Sequence, residues 1–249
     1  MSNRTPRLGV THPAWQPAPR FPSRRVTLEE LIGPLTDIER RYAPSVLFVS
    51  GTLTLPLRHP RVSIVGTRNP SEEGRRLAEE LGSTLGKQGA FIVSGLARGI
   101  DTAAHQSTIA AGGKTVAVLG TPLSRTYPRE NAPLQYEIMR SHLAVSQFSD
   151  SHKTEGKDFV LRDRTMALIS DVSVIVESGD SGGSLYQGWE AIRLGRPLFV
   201  HSRVFKVPGL DWPHKMATYG AIEFREPDDI LDYLPSPSLN LATLALGTA

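Results

Sequence analysis

The chain has 249 residues, with 39% apolar, 21% charged and 7% aromatic side chains and a formal net charge of +3. No apolar run approaches the roughly 20 residues a bilayer helix needs, and the N-terminus has no apolar segment of the signal-peptide kind. There is no cysteine, which excludes disulfides, thiolate nucleophiles, Cys-type zinc sites and iron–sulfur clusters. These features predict a soluble cytoplasmic protein with no membrane partner. The charge is uneven. Residues 1–25 hold five arginines (Arg4, Arg7, Arg20, Arg24, Arg25) and no acid, whereas the remainder sets 23 Lys and Arg against 25 Asp and Glu. A body so balanced is no polycation, so any anion site must be local, built from a few arginines and backbone amides. The basic segment is also rich in proline, which predicts a flexible or extended arm over 1–25.

Residues 26–60 read as a short helical preface and a first strand. Thr27 can cap a helix from Leu28, with Glu30 completing a capping box, and Val46–Val49 is a candidate strand. From there short, β-branched runs that do not alternate recur at 62–65, 91–93, 116–119, 143–145, 172–176 and 198–200. Such runs mark strands buried on both faces of a parallel sheet. Helical segments lie between them. In 71–86, Leu77, Leu81 and Leu85 share one face and Glu72 pairs with Arg76. Helices are predicted at 101–111 and 184–194 as well, and glycine ends them at Gly89, Gly112–Gly113 and Gly195. The pattern over 61–205 predicts an α/β, extended Rossmann-like, doubly wound and mainly parallel sheet with helices on both faces. Its ligand site should lie at the carboxyl ends of the strands. Residues 206–249 are read as a C-terminal extension without a winged helix.

Glycine-rich turns cluster at those strand ends: Gly66-Thr67-Arg68, Ser94-Gly95-Leu96-Ala97-Arg98-Gly99, and Ser178-Gly179-Asp180-Ser181-Gly182-Gly183-Ser184. Glycine lets backbone approach a ligand, helix N-termini offer N–H groups to an anion, and Arg68 and Arg98 add forked donors suited to phosphate. Two familiar nucleotide motifs are absent. Gly113-Lys114-Thr115 lacks the leading glycine of a phosphate loop and precedes a strand rather than following one. No G-x-G-x-x-G follows Val65. Asp101 and His105, four apart, share a helix face and allow either an acid–base pair or, the weightier reading, a helix cap beside an internal histidine. Ser181 and Ser184 have no adjacent base, which favours hydrogen-bonding roles over nucleophilic ones. No catalytic residue, cofactor or metal is assigned.

The stretches Ile64–Arg68, Val93–His105, Gly113–Gly120 and Tyr127–Asn131 resemble the DprA/Smf family of DNA-processing proteins, over about residues 42–201. The resemblance implies a fold that binds single-stranded DNA and, in transformable bacteria, passes it to a RecA-type recombinase, as a homodimer and without an established catalytic activity. It assigns DNA or phosphate contact to Arg68, to Ser94, Gly95, Arg98 and Gly99, and to Phe159, Arg162 and Arg164 with Lys157 nearby. Asp101, His105, Ser181, Gly182 and Ser184 complete the candidate set. Arginines tracking phosphates while an aromatic stacks on a base suit a single strand. Departures from the family are Val160 and Asp163, where it carries proline and asparagine, and Gln147 in place of glutamate. Asp163 is expected to weaken DNA affinity. A role in a mobile-element or phage-defence system is an alternative setting. The rival readings are a phosphoribohydrolase-like enzyme on nucleotides or nucleosides, against which Asp180–Ser184 lacks the expected Gly-Thr and glutamate, and an interaction protein with a degenerate cleft.

Overall fold

The computed structural model describes residues 21–236. In chain order the elements are β1 (Arg24–Val26), α1 (Leu28–Ile32), α2 (Asp37–Tyr42), β2 (Leu47–Gly51), β3 (Arg61–Val65), α3 (Glu72–Lys87), β4 (Phe91–Ser94), α4 (Ile100–Ala110), β5 (Lys114–Leu119), α5 (Ala132–Ser141), β6 (Leu143–Ser146), α6 (Gly156–Ile169), β7 (Val172–Ile175), α7 (Gly183–Arg193), β8 (Leu198–His201), α8 (Trp212–Thr218), β9 (Ile222–Phe224) and α9 (Asp228–Leu231). All nine strands form one sheet in the order β1-β2-β6-β5-β4-β3-β7-β8-β9. From β6 to β9 every pairing is parallel, whereas β2 runs antiparallel to β6, and β1 to β2. The chain enters at β3, winds outward through β4, β5 and β6, then returns to β7 on the other side of β3. The order therefore reverses between β3 and β7, and a doubly wound sheet opens its crevice at such a point.

The non-alternating strands are buried on both faces. Val62, Ile64, Ile92, Val172 and Val174 pack against α3 and α4, while Val65, Val93, Val116, Val118 and Ile175 face the core beneath α1, α6 and α7. Ala117, Leu119 and Ala144 meet α5. The predicted caps are present: Thr27 and Glu30 form a reciprocal capping box, Ser71 caps α3, and Gly89, Gly112 and Gly195 take positive φ just after their helices. Two short strands fall outside the sequence reading. Arg24 and Arg25 belong to edge strand β1 rather than to a flexible arm, and residues 1–20 of that arm lie outside the described residues. Within the C-terminal extension, β9 adds a ninth strand; its last residues, 237–249, also lie outside the described part.

The end of the sheet opposite the crevice is closed by a charged knot. Arg61 is buried at the start of β3, with its Nη2 2.6 Å from Asp171 Oδ1, while its backbone N–H and His59 Nδ1 reach Asp171 Oδ2 at 2.7 and 2.9 Å. Arg61 Nη1 also donates to the carbonyl of Ile32. Burial alone would raise the Asp171 carboxyl; the His59 hydrogen bond and the Arg61 charge outweigh it and hold it below its ordinary value. A carboxyl lowered on folding contributes stability above its unfolded value, and that contribution is lost as pH falls through the folded value. Asp171→Asn is therefore expected to cost about 2 kcal/mol at neutral pH. The variant and wild-type curves should converge as pH falls below the unfolded carboxylate value of about 3.9. Thermal melts across that range check both statements.

Candidate nucleic-acid interface

Three turns at the carboxyl ends of β3, β4 and β7 converge on the crevice, and α6 lies across it. The turn after β4 is tightly constrained. Gly99 sits at φ 75° ahead of α4, and a Cβ there would fall 2.7 Å from Pro70 Cδ and 2.8 Å from the Arg68 carbonyl carbon. Leu96, buried, takes a left-handed φ of 59°, a conformation that costs energy for a side-chain-bearing residue. Asp101 fixes this turn. Its Oδ2 accepts from the amides of Gly95 at 3.1 Å and Ala97 at 3.2 Å. Asn131 supports it from outside, with Nδ2 donating to the Leu96 carbonyl and to Thr102 Oγ1, both at 2.9 Å.

Two adjoining cavities open here. The outer one, about 460 Å³, is lined by Arg68, Arg98, Tyr127, Arg129, Glu130 and Phe159 among others. The inner one, about 470 Å³, reaches Val65, Asp101, Val160, Asp163, Met166 and the Gly182–Ser184 turn, sharing Arg68, Tyr127, Phe159 and Arg162 with the outer. The rings of Tyr127 and Phe159 stand 5.3 Å apart at 54°. Arg68 and Arg129 are exposed and make no salt bridge to any described residue. Arg98 is exposed and pairs with Glu130 through both Nε and Nη2, the latter at 3.0 Å.

Arg162 lies beneath this surface. It is 6% exposed; Nη1 donates to the carbonyls of Gly95 and, at 3.2 Å, Val118, and Nε stands 2.8 Å from Asp163 Oδ1. Its charge also acts on Asp101. Burial raises both carboxyls above their ordinary values despite that arginine. In the turn after β4, two of the amides that the sequence offered to an anion, those of Gly95 and Ala97, are thus taken up by Asp101. A second carboxylate, Glu177, meets the N-terminus of α3 in the same manner, accepting from Ser71 N–H at 3.0 Å and Ser71 Oγ at 2.6 Å. The fixed positive charge of the cleft comes from arginine side chains, and the first turn of α7, which has no side-chain cap, also opens on the inner cavity.

The other candidate residues are spread more widely. Ser94 is buried and donates to the Ile64 carbonyl at 2.7 Å. His105 is fully buried against Thr115 Oγ1 at 2.6 Å, and burial pushes its imidazole down to about 3, so it is neutral and internal rather than half of an acid–base pair. Ser184 shares a 2.8 Å hydrogen bond with Ser178. Ser181 is exposed on the same turn. Lys157 is exposed and pairs with Glu155 at 2.8 Å. Arg164 points away from the cleft: its Nη2 donates to Tyr186 Oη at 3.0 Å and approaches Glu190, over the ring of Tyr42. Arg68, Arg98, Phe159 and Arg162 do come together. Tyr127 and Arg129 were not singled out from the sequence, although the Tyr127–Asn131 stretch that carries them was conspicuous there. Among the described residues no helix is long and apolar enough to cross a membrane, and no group of three His, Asp or Glu side chains is placed to hold a metal ion.

A doubly wound sheet whose switch-point crevice carries arginines and paired aromatic rings defines a Rossmann-like protein with its candidate site at the carboxyl ends of the strands. The chain belongs to the DNA recombination-mediator protein A family, whose model matches residues 18–235. It is 32% identical over 192 residues to the DNA processing protein DprA of Bacillus subtilis, covering 77% of this chain and 65% of that one. It is 34% identical to the Smf protein of Escherichia coli, covering 77% and 51%. The chain thus spans between half and two-thirds of the length of these relatives. Among solved structures it is similar to DNA processing protein A of Streptococcus pneumoniae, with TM-score 0.73, 32% identity, and 88% and 76% of the two chains covered. The protein of the same name from Helicobacter pylori, described for its single-stranded DNA binding mode, shares the fold at TM-score 0.72 and 24% identity, with 84% and 94% covered.

Proposed function

We propose that this protein binds single-stranded DNA in the crevice between β3 and β7, as a DNA-processing protein without catalytic chemistry of its own. The observation that carries this reading is the interleaving of Arg68, Arg98 and Arg129 with the Tyr127–Phe159 ring pair in one cleft. Arginine forks hold phosphates, and aromatic faces take unstacked bases of any sequence. Membership of the family and the single-strand binding of its Helicobacter pylori relative support the same ligand. Glu130 holds Arg98 until a phosphate replaces it. Hand-over of the strand to a RecA-type recombinase, and a homodimer that sets two clefts on one strand and so gains effective concentration, extend the proposal. Light scattering tests the dimer.

The binding test is a panel of single-stranded DNA, duplex DNA, RNA and mononucleotides at two salt concentrations. Tightest binding to single-stranded DNA is expected. Preference for a mononucleotide would favour the nucleotide-processing alternative instead. Arg68→Ala should weaken single-strand binding several-fold and flatten the salt dependence by roughly 0.7 log unit, because one phosphate fewer is neutralised. An unchanged affinity and slope in a folded variant would move the strand elsewhere.

A further inference from the structure

The inner cavity presents a carboxylate where an anionic ligand is to bind. Asp163 is 3% exposed on α6 and lines that cavity. Oδ1 is committed to Arg162 at 2.8 Å. Oδ2 has no hydrogen-bond donor among the described residues, and it lies against the first turn of α7, where a Cβ on Gly183 would fall 2.5 Å from it. Oδ2 is reachable from the cavity, so a ligand that displaces water from it must bring a donor in the water's place. A phosphate cannot supply one, having only acceptor oxygens at neutral pH, and like charge repels it. The phosphate path is therefore the outer rim of Arg68, Arg98 and Arg129, and the group that enters the inner cavity is a base. The walls suit one: the Phe159 and Tyr127 rings, Val65, Val160 and Met166 are apolar, and a volume of about 470 Å³ admits a purine.

The edge of the base is then constrained. A lone carboxylate oxygen accepts and never donates. Among the four DNA bases, guanine alone carries two adjacent donors, N1–H and the N2 amino group, on its Watson–Crick edge. Adenine and cytosine set a ring acceptor beside their amino group, and thymine flanks its single N3–H with two carbonyls that would face the carboxylate. Building on the single-strand reading above, we propose that Asp163 makes the inner cavity a guanine-selective base pocket, with Oδ2 accepting from N1–H and N2–H while the ring stacks on Phe159.

The test uses the full chain and fluorescence anisotropy with a short homothymidine oligonucleotide, unsubstituted or with one guanine placed at each position in turn. The unsubstituted strand reports on strand binding itself, so its failure to bind would sink the single-strand reading, whereas the substituted strands test only the pocket. One guanine position is expected to tighten binding about tenfold, the worth of a hydrogen bond to a charged group. Inosine there, which lacks the N2 amino group, should lose much of that gain, and 7-deazaguanine, altered only on the far edge, should keep it. Asp163→Asn, checked by its melting curve, should reduce the guanine gain. Equal affinity for all substituted strands, a preference for another base, or a gain that inosine retains in full would each overturn the proposal. These base-analogue comparisons decide the matter even if the variant fails to fold.

Discussion

Arg162→Met is expected to lower the stability of the protein by about 3–5 kcal/mol at neutral pH, the cost of leaving buried charges without their partner. For a chain of this size, roughly 2–4 °C of melting temperature follows each kcal/mol, so a drop of about 10 °C should be seen. Methionine keeps an unbranched apolar stem and removes only the guanidinium, so the loss reports on charge rather than volume. Two carboxyls depend on that group. Asp163 is in direct contact with it, and Asp101 feels it across the turn. Both are already raised by burial, and without the arginine they rise further. A carboxyl raised on folding destabilises most at high pH: the penalty is absent below the unfolded value and grows as pH rises through the folded one. The melting deficit of Arg162→Met should therefore shrink as pH is lowered from 7 toward 4. A deficit independent of pH would mean that the two carbonyl hydrogen bonds to Gly95 and Val118 carry the effect. No deficit at all would remove Arg162 from the framework of the cleft.

That role was hidden from the sequence by helix geometry. Arg162, Asp163 and Arg164 read as a charged run, with two arginines facing phosphate and a carboxylate spoiling the site between them. Neighbours on a helix point about 100° apart and do not share a face. On α6, Arg162 turns inward to the β4 turn, Asp163 turns toward α7, and Arg164 crosses to Tyr186 and Glu190. The acid is the partner of the first arginine and lies apart from the second. The strands were legible for the opposite reason. Burial on both faces leaves continuous runs such as Val62–Val65 and Val116–Leu119, which no helix period explains. The edge strands Arg24–Val26 and Ile222–Phe224 are three residues each and exposed on at least one face, too short to show any period. In the turn after β4 the glycines, Arg98 and Asp101 were all visible as a unit, but the sequence did not reveal that Asp101 occupies the amides a ligand would otherwise use. Tyr127 escaped because a lone tyrosine in a loop has no pattern until Phe159, distant in sequence, is placed against it.

Phe159→Ala is expected to weaken single-stranded DNA binding by about 5- to 150-fold, since a base stacked on an aromatic ring contributes about 1–3 kcal/mol. The ring is placed for this at the junction of the two cavities, backed by Gly120, where a Cβ would lie 2.6 Å from Phe159 Cδ1. The signature that separates stacking from charge is salt. Arg68→Ala removes a positive charge from the phosphate path and flattens the salt dependence, whereas Phe159→Ala should lower affinity equally at every salt concentration, because stacking releases no counterion. Phe159→Tyr, which keeps an aromatic face, should bind nearly as wild type. Gly120→Ala, which touches no ligand, should weaken binding by pushing the ring from its seat. Tyr127 gives a coupled test. Because its ring stands 5.3 Å from that of Phe159, the two can grip one base together, and removal of either deprives the other of its purpose. The double variant Tyr127→Ala/Phe159→Ala should then lose less than the sum of the single losses. Strict additivity would mean that the rings serve two different bases, and a Phe159→Ala variant that binds as tightly as wild type would take the strand out of the inner cavity altogether.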